Sequence, residues 1–158
     1  MINRLHILLF LTLSAAVAAQ SDKPTVAILD FEGQDVDASE VKTLTERMRT
    51  EIGNTKAVRL IERKAVENIL KEQGLQQSGC TTDECAAEVG QLLGVQYMIS
   101  GSIGKMGKSY TIDCKMFSVE TGETVRTKRA THKGDVSGLL TELEILAWES
   151  VGLDAPGR

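Results

Sequence analysis

Apolar and polar positions follow two different rhythms along the chain, and the changes of rhythm mark its elements. Thr25 to Phe31 (TVAILDF) is rich in β-formers and apolar on both faces, which predicts a central strand ended by Gly33. Beyond it Val41, Leu44, Met48 and Ile52 recur at helical spacing, behind the capping-box pair Asp37 and Glu40 and ahead of Gly53-Asn54. Lys56 to Glu62 (KAVRLIE) reads as a second strand. Lys64 to Gln73 reads as a second helix, with Val66, Ile69 and Leu70 inward and Gly74 as its stop. After a polar loop, Thr81 and Glu84 form a second capping-box pair, opening a third helix with Cys85, Val89, Leu92 and Leu93 inward and Gly94 as its end.

The rhythm then changes to period two. Val95 to Ile103 is strand-like, and Ser109 to Ser118 alternates throughout, with Tyr110, Ile112, Cys114 and Met116 on one face and Thr111, Asp113, Lys115 and Phe117 on the other. Gly104 to Lys108 is the expected hairpin loop, and Glu120-Thr121-Gly122 a tight turn into a strand over Glu123 to His132. Asp135 to Leu153 returns to the helical period, with Val136, Leu139, Leu140, Leu143, Leu146, Ala147 and Val151 along one stripe. The order is β-α-β-α-α-β-β-β-α. Helices after the first two strands imply right-handed crossovers, and the hairpins imply an antiparallel part, so the expected fold is a single α/β domain on a mixed sheet of about five strands.

Composition changes this picture at one end. The chain has 158 residues, 42% of them hydrophobic and 25% charged, enough to build one core and too apolar for a disordered tail. Residues 1–19 are different material: Arg4 without an acid, an apolar run from Ile7 to Leu13, and small residues at Ala16-Val17-Ala18-Ala19. That is the layout of a secretory signal cut after Ala18 or Ala19, leaving residues 20–158 as the α/β domain in the periplasm or outside the cell. Polar Gln20-Ser21-Asp22-Lys23 arrives too early for a spanning anchor, and no later stretch is long enough to span a membrane as a helix. No cysteine stands at the cleavage point to be acylated. The formal charge of −4 becomes one unit more negative without Arg4, and aromatics make up only 4%, so nucleic acid is not an expected partner.

Four groups of residues carry candidate chemistry. Cys80 and Cys85 lie either side of a predicted helix start; export favours a local disulfide stapling the loop to the helix, with two free thiols as the alternative. Their spacing is wrong for a thioredoxin-like motif, and His132 is the only histidine after the leader, so neither redox catalysis nor a metal site is expected. Cys114 shares a strand face with apolar neighbours and reads as an inert core thiol. Asp30 and Glu32 stand at the end of the first strand, where α/β sheets place ligand sites; the competing reading is a strand-end turn in which Asp30 bonds the following backbone amides. Ser102 to Ser109 (SIGKMGKS) comes within one residue of a phosphate-binding loop but leads into a strand rather than a helix. Arg126, Lys128, Arg129, His132 and Lys133 make one strand basic in an acidic protein, which suits an acidic partner or protects a sheet edge from aggregation. No set of these residues assembles a catalytic triad, and no cofactor is expected.

VAILDFEG (Val26 to Gly33), LTERMRTEI (Leu44 to Ile52), VRLIERKAVENILKEQG (Val58 to Gly74) and LLGVQYMISGSI (Leu92 to Ile103) together resemble the periplasmic domain of the CsgG family. These curli assembly and transport components are similar in turn to the lipoprotein activators of penicillin-binding proteins and to the N-terminal domain of TolB. The resemblance covers roughly residues 25–132 and implies the α/β domain alone, serving protein–protein assembly in a Gram-negative envelope, with envelope proteins as partners and homo-oligomers within its reach. The function so implied is that of an exported, non-enzymatic assembly or adaptor protein. The alternative is a small-ligand or nucleotide-binding module using Asp30, Glu32 or the glycine-rich loop.

Overall fold

The computed structural model describes residues 23–75, 80 and 82–156. The expected leader over residues 1–19 lies outside them. The first strand breaks in two, β1 (Thr25–Ile28) and β2 (Glu32–Gln34), both parallel to β4 (Tyr97–Met106). Ile28 pairs with Ile99 and Glu32 with Ser102, so four steps on one side match three on the other. One extra residue is accommodated between Leu29 and Phe31, as in a bulge, and it reverses the alternation of side chains. The apolar run TVAILDF carries no mark of this break.

The remaining elements follow the predicted order: α1 (Ala38–Thr55), β3 (Arg59–Leu60), α2 (Arg63–Glu72), α3 (Asp83–Leu93), β5 (Ser109–Ser118), β6 (Thr124–Lys133) and α4 (Leu139–Ser150), the last preceded by a single 3-10 turn over Val136–Gly138. The six-stranded mixed sheet runs β3-β1-β4-β5-β6, with β2 beside β4. Parallel pairing joins β1 to β3 and β4, and antiparallel pairing joins β4, β5 and β6.

Several boundaries depart from the sequence reading. The second strand is only Arg59–Leu60, because Lys56 takes the left-handed conformation that ends α1 and Arg63 already opens α2. The cap of α3 is Thr82, whose hydroxyl accepts from the Cys85 N–H at 3.2 Å; Thr81 lies outside the described residues. The β4–β5 hairpin turns on Gly107-Lys108 alone, with Gly107 at φ 62°, so Gly104 to Met106 are strand rather than loop. Leu92 and Leu140 point outward, at 47% and 42% exposure, one helical step off their buried stripes.

Two cores lie on opposite faces of the sheet. Val26, Ile28, Ile99, Ile103, Ile112, Cys114 and Met116 pack under α1 and α4, against Leu44, Met48, Ile52, Leu139, Leu143 and Leu146. Ala27, Leu29, Met98, Phe117 and Val119 pack under α2 and α3, against Val66, Leu70, Ala86 and Val89. Coverage differs for reasons of length. At about 1.5 Å per residue α1 spans roughly 27 Å, near the reach of a ten-residue strand at about 3.3 Å per residue, whereas α2 and α3 span only about half of it. Among the described residues no helix covers the other half of the second face.

Candidate functional site

The bulge after β1 sets Asp30 where two helices meet. Its Oδ1 accepts from Arg49 Nη2 at 2.9 Å and its Oδ2 from Arg63 Nη2 at 2.7 Å. Arg63 also reaches Glu46 at 2.8 Å and Glu67 at 2.9 Å, so one carboxylate joins the end of β1 to α1 and to the start of α2. Arg49 is 6% exposed, and Asp30 supplies the charge that a buried guanidinium requires. Asp30 is therefore neither bonded to the next amides nor a free ligand carboxylate. Arg49 and Arg63 were not singled out from the sequence; the signal available was Arg49 standing one turn after Thr45 on the buried face of α1.

Phe31 follows and crosses to the first face, where the Cε2 and Cζ atoms of its ring come up against Gly101. A Cβ there would meet the ring at 2.9 Å and the Asp113 carbonyl oxygen at 2.4 Å, so only glycine allows this approach. On the open half of the second face, a cleft of about 250 Å³ is lined by Leu29, Asp30, Glu32, Cys80, Ser100 and Asp113. Ion pairs from Lys115 to Asp83 and from Arg129 to Asp113 flank it. Asp30 and Glu32 thus reach one cleft, with Cys80 on its wall. Among the described residues no three His, Cys, Asp or Glu side chains gather as a metal site.

Cys80 and Cys85 are joined by a disulfide, Cα atoms 5.4 Å apart, which fixes the chain entering α3. Cys114 is a free, buried thiol 3.5 Å from the Ser150 hydroxyl, and burial pushes its pKa up to about 11. It stays protonated and unreactive at neutral pH. The glycine-rich segment leads through Gly107-Lys108 directly into β5, so no helix N-terminus stands behind it to hold a phosphate.

The five basic residues of β6 do not share a face. In register with β5, Arg126, Lys128 and His132 oppose Met116, Cys114 and Tyr110 on the α4 side, whereas Arg129 and Lys133 oppose Asp113 and Ser109 on the other. Lys128 reaches Glu149 at 3.4 Å, the His132 ring lies on Gly138, and Arg126 sits 3.8 Å from the Met116 sulfur. What the five do share is an edge, because β6 is the last strand of the sheet.

Fold and site together define a small mixed α/β domain whose charges hold its own elements together and whose sheet ends in a long basic edge. Among the described residues no helix is long and apolar enough to cross a membrane. The same fold is seen in the LpoB C-terminal domain from Salmonella enterica, at TM-score 0.61 and 16% identity over 71% of this chain and 84% of that one. It recurs in the PelC dodecamer from Paraburkholderia phytofirmans, at TM-score 0.58 and 11% identity over 82% and 90%. TolB from Acinetobacter baumannii carries it too, at TM-score 0.52 and 13% identity over 82% of this chain and 28% of that one. No curated protein shows significant similarity to the chain. The chain belongs to the family of the peptidoglycan-synthase activator LpoB, whose model matches residues 9–129. Of the resemblances drawn from the sequence, the one to activators of penicillin-binding proteins is supported by this match and the one to TolB by the fold; the CsgG resemblance is not supported.

Proposed function

We propose that this protein is an exported, non-enzymatic activator that raises the activity of a peptidoglycan synthase by direct protein contact. The observation that carries the reading is the family match over residues 9–129, which covers most of the chain. The disulfide and the signal-like residues 1–19 fit an oxidising envelope compartment, with residues 20–158 as the working protein. The basic residues of β6 are the surface we assign to the contact.

The test adds the exported protein, purified from the envelope, to a peptidoglycan synthase of the same organism and follows polymerisation of the lipid-linked precursor. A rate that rises and saturates with added protein is the expected result; an unchanged rate overturns the reading. Intact mass of the same preparation reports cleavage after Ala18 or Ala19.

A further inference from the structure

We infer that β6 receives its partner by strand addition: an extended, acidic segment of the synthase pairs with the free edge of the sheet. The inference rests on the activator reading and adds the mode of contact.

Ten residues of β6 form one border of the sheet, while the opposite border is the two-residue β3. The Gly134 N–H donates to the Lys108 carbonyl at 2.9 Å and the Ser118 N–H to the Glu123 carbonyl at 2.9 Å, which fixes the phase of the β5–β6 ladder between them. Arg126, Lys128, Ala130 and His132 then exchange hydrogen bonds with β5, and Thr127, Arg129, Thr131 and Lys133 turn their N–H and C=O groups outward. Among the described residues no backbone group bonds to these from outside. Four evenly spaced residues with donors and acceptors outward are what an added strand requires.

Charge then selects the occupant. Thr124–Lys133 holds no acidic residue. Because the basic side chains fall on both faces, they cannot act as one flat patch, but they flank any segment lying along the edge on both of its sides. Arg126 and Lys133 have no carboxylate partner among the described residues, whereas Lys128 and Arg129 are already paired with Glu149 and Asp113. A second copy of this chain, pairing β6 with β6, would bring basic strand against basic strand, so an acidic segment is favoured over self-association. At the Arg126 end, exposed Leu153 lines a groove with Arg126, Thr127, Lys128, Glu149 and Asp154, and its apolar wall suits one apolar residue of the segment.

The test measures binding and activation of the synthase with wild-type protein, with Thr131→Pro and with Arg126→Glu/Lys133→Glu. Thr131→Pro removes one outward donor and leaves the β5 ladder intact, and the double charge reversal leaves the backbone untouched. Both variants are expected to bind about tenfold more weakly or worse at low salt, with their melting transitions retained. In the wild-type complex the outward amides of Thr127, Arg129, Thr131 and Lys133 gain protection from hydrogen exchange. Wild-type activation with no such protection, or with both variants activating equally well, overturns strand addition and leaves the activator reading standing; absence of wild-type activation removes both. If Thr131→Pro does not fold, the charge reversal and the exchange pattern decide.

Discussion

On the face beneath α1 and α4, β1, β4 and β5 present Val26, Ile28, Ile99, Ile103, Ile112 and Met116, all nearly or fully buried. Turned over, the same strands present Ala27, Met98 and Phe117 beneath α2 and α3 and then, beyond the ends of those short helices, Ser100, Ser102, Asp113 and Lys115. One strand thus carries two chemistries on its second face, and the crossing point is Asp30, which ties β1 to both helical layers. The first face spends its area on cohesion. Among the described residues the second has no helix over half of its area, nor any strand beyond the edge next to it.

The comparison breaks most sharply on the covered face. Leu143→Ala empties a fully buried site between α4 and the sheet and is expected to cost about 3 kcal/mol in urea unfolding. Ser102→Ala, on the open half, is expected to stay within about 0.5 kcal/mol of wild type. Equal effects would show that the two halves do not differ as drawn.

Next is the crossing point. Asp30→Asn removes the carboxylate that Arg49 and Arg63 share and leaves buried Arg49 with Glu46 alone, at 3.5 Å; breaking a buried pair typically costs 3–5 kcal/mol, and this remaining pair and the partial exposure of Asp30 and Arg63 reduce that to roughly 2.5 kcal/mol. Unfolding of the variant checks it, and a loss of less than about 1 kcal/mol would place Asp30 outside the framework.

How far the sequence disclosed these features follows from what sets each of them. Helix α1 and strand β5 were legible because a single period runs through each and one face is buried for its whole length. The break between β1 and β2 was not, since β1 is apolar on both faces and so has no alternation whose phase an inserted residue could shift. Asp30 was found as a candidate but not its partners, because Arg49 and Arg63 lie 19 and 33 residues away and their meeting depends on how the helices pack. The division of the basic residues of β6 between two faces was implicit in the alternation, although as a cluster they read as one surface.

The second face is sharpened by its staple. Cys80→Ser with Cys85→Ser removes a short covalent loop at the start of α3 and is expected to lower stability by about 2 kcal/mol in the chain-entropy model. A native thiol assay on the parent protein, at pH 8, is expected to give no titre until denaturant exposes Cys114, whose pKa stands near 11. A full thiol titre without denaturant would contradict the burial of Cys114 beneath α4.

The smallest effect separates the two helical layers by pH. On the first face Asp37 caps α1 by accepting from the Ser39 hydroxyl and N–H, and Asp135 caps the turn before α4 by accepting from the Ser137 N–H and hydroxyl; these bonds hold both carboxyls below the usual 3.8. On the second face α3 is capped by the Thr82 hydroxyl, which does not titrate, and α2 has no side-chain cap. A carboxyl whose pKa is depressed on folding contributes stability that is fully present above 3.8 and is lost as pH falls through its folded value. Acid should therefore loosen the first turn of α1 and the turn before α4 more than the first turn of α3, where acid acts on the Asp83–Lys115 pair but not on the cap. Amide exchange in those three turns, followed downward from neutral pH, measures this. Asp37→Asn keeps an accepting cap without a titrating one, so the acid transition of α1 should disappear in that variant; its persistence, or equal loosening of α3, would assign the acid sensitivity to global charge rather than to the caps.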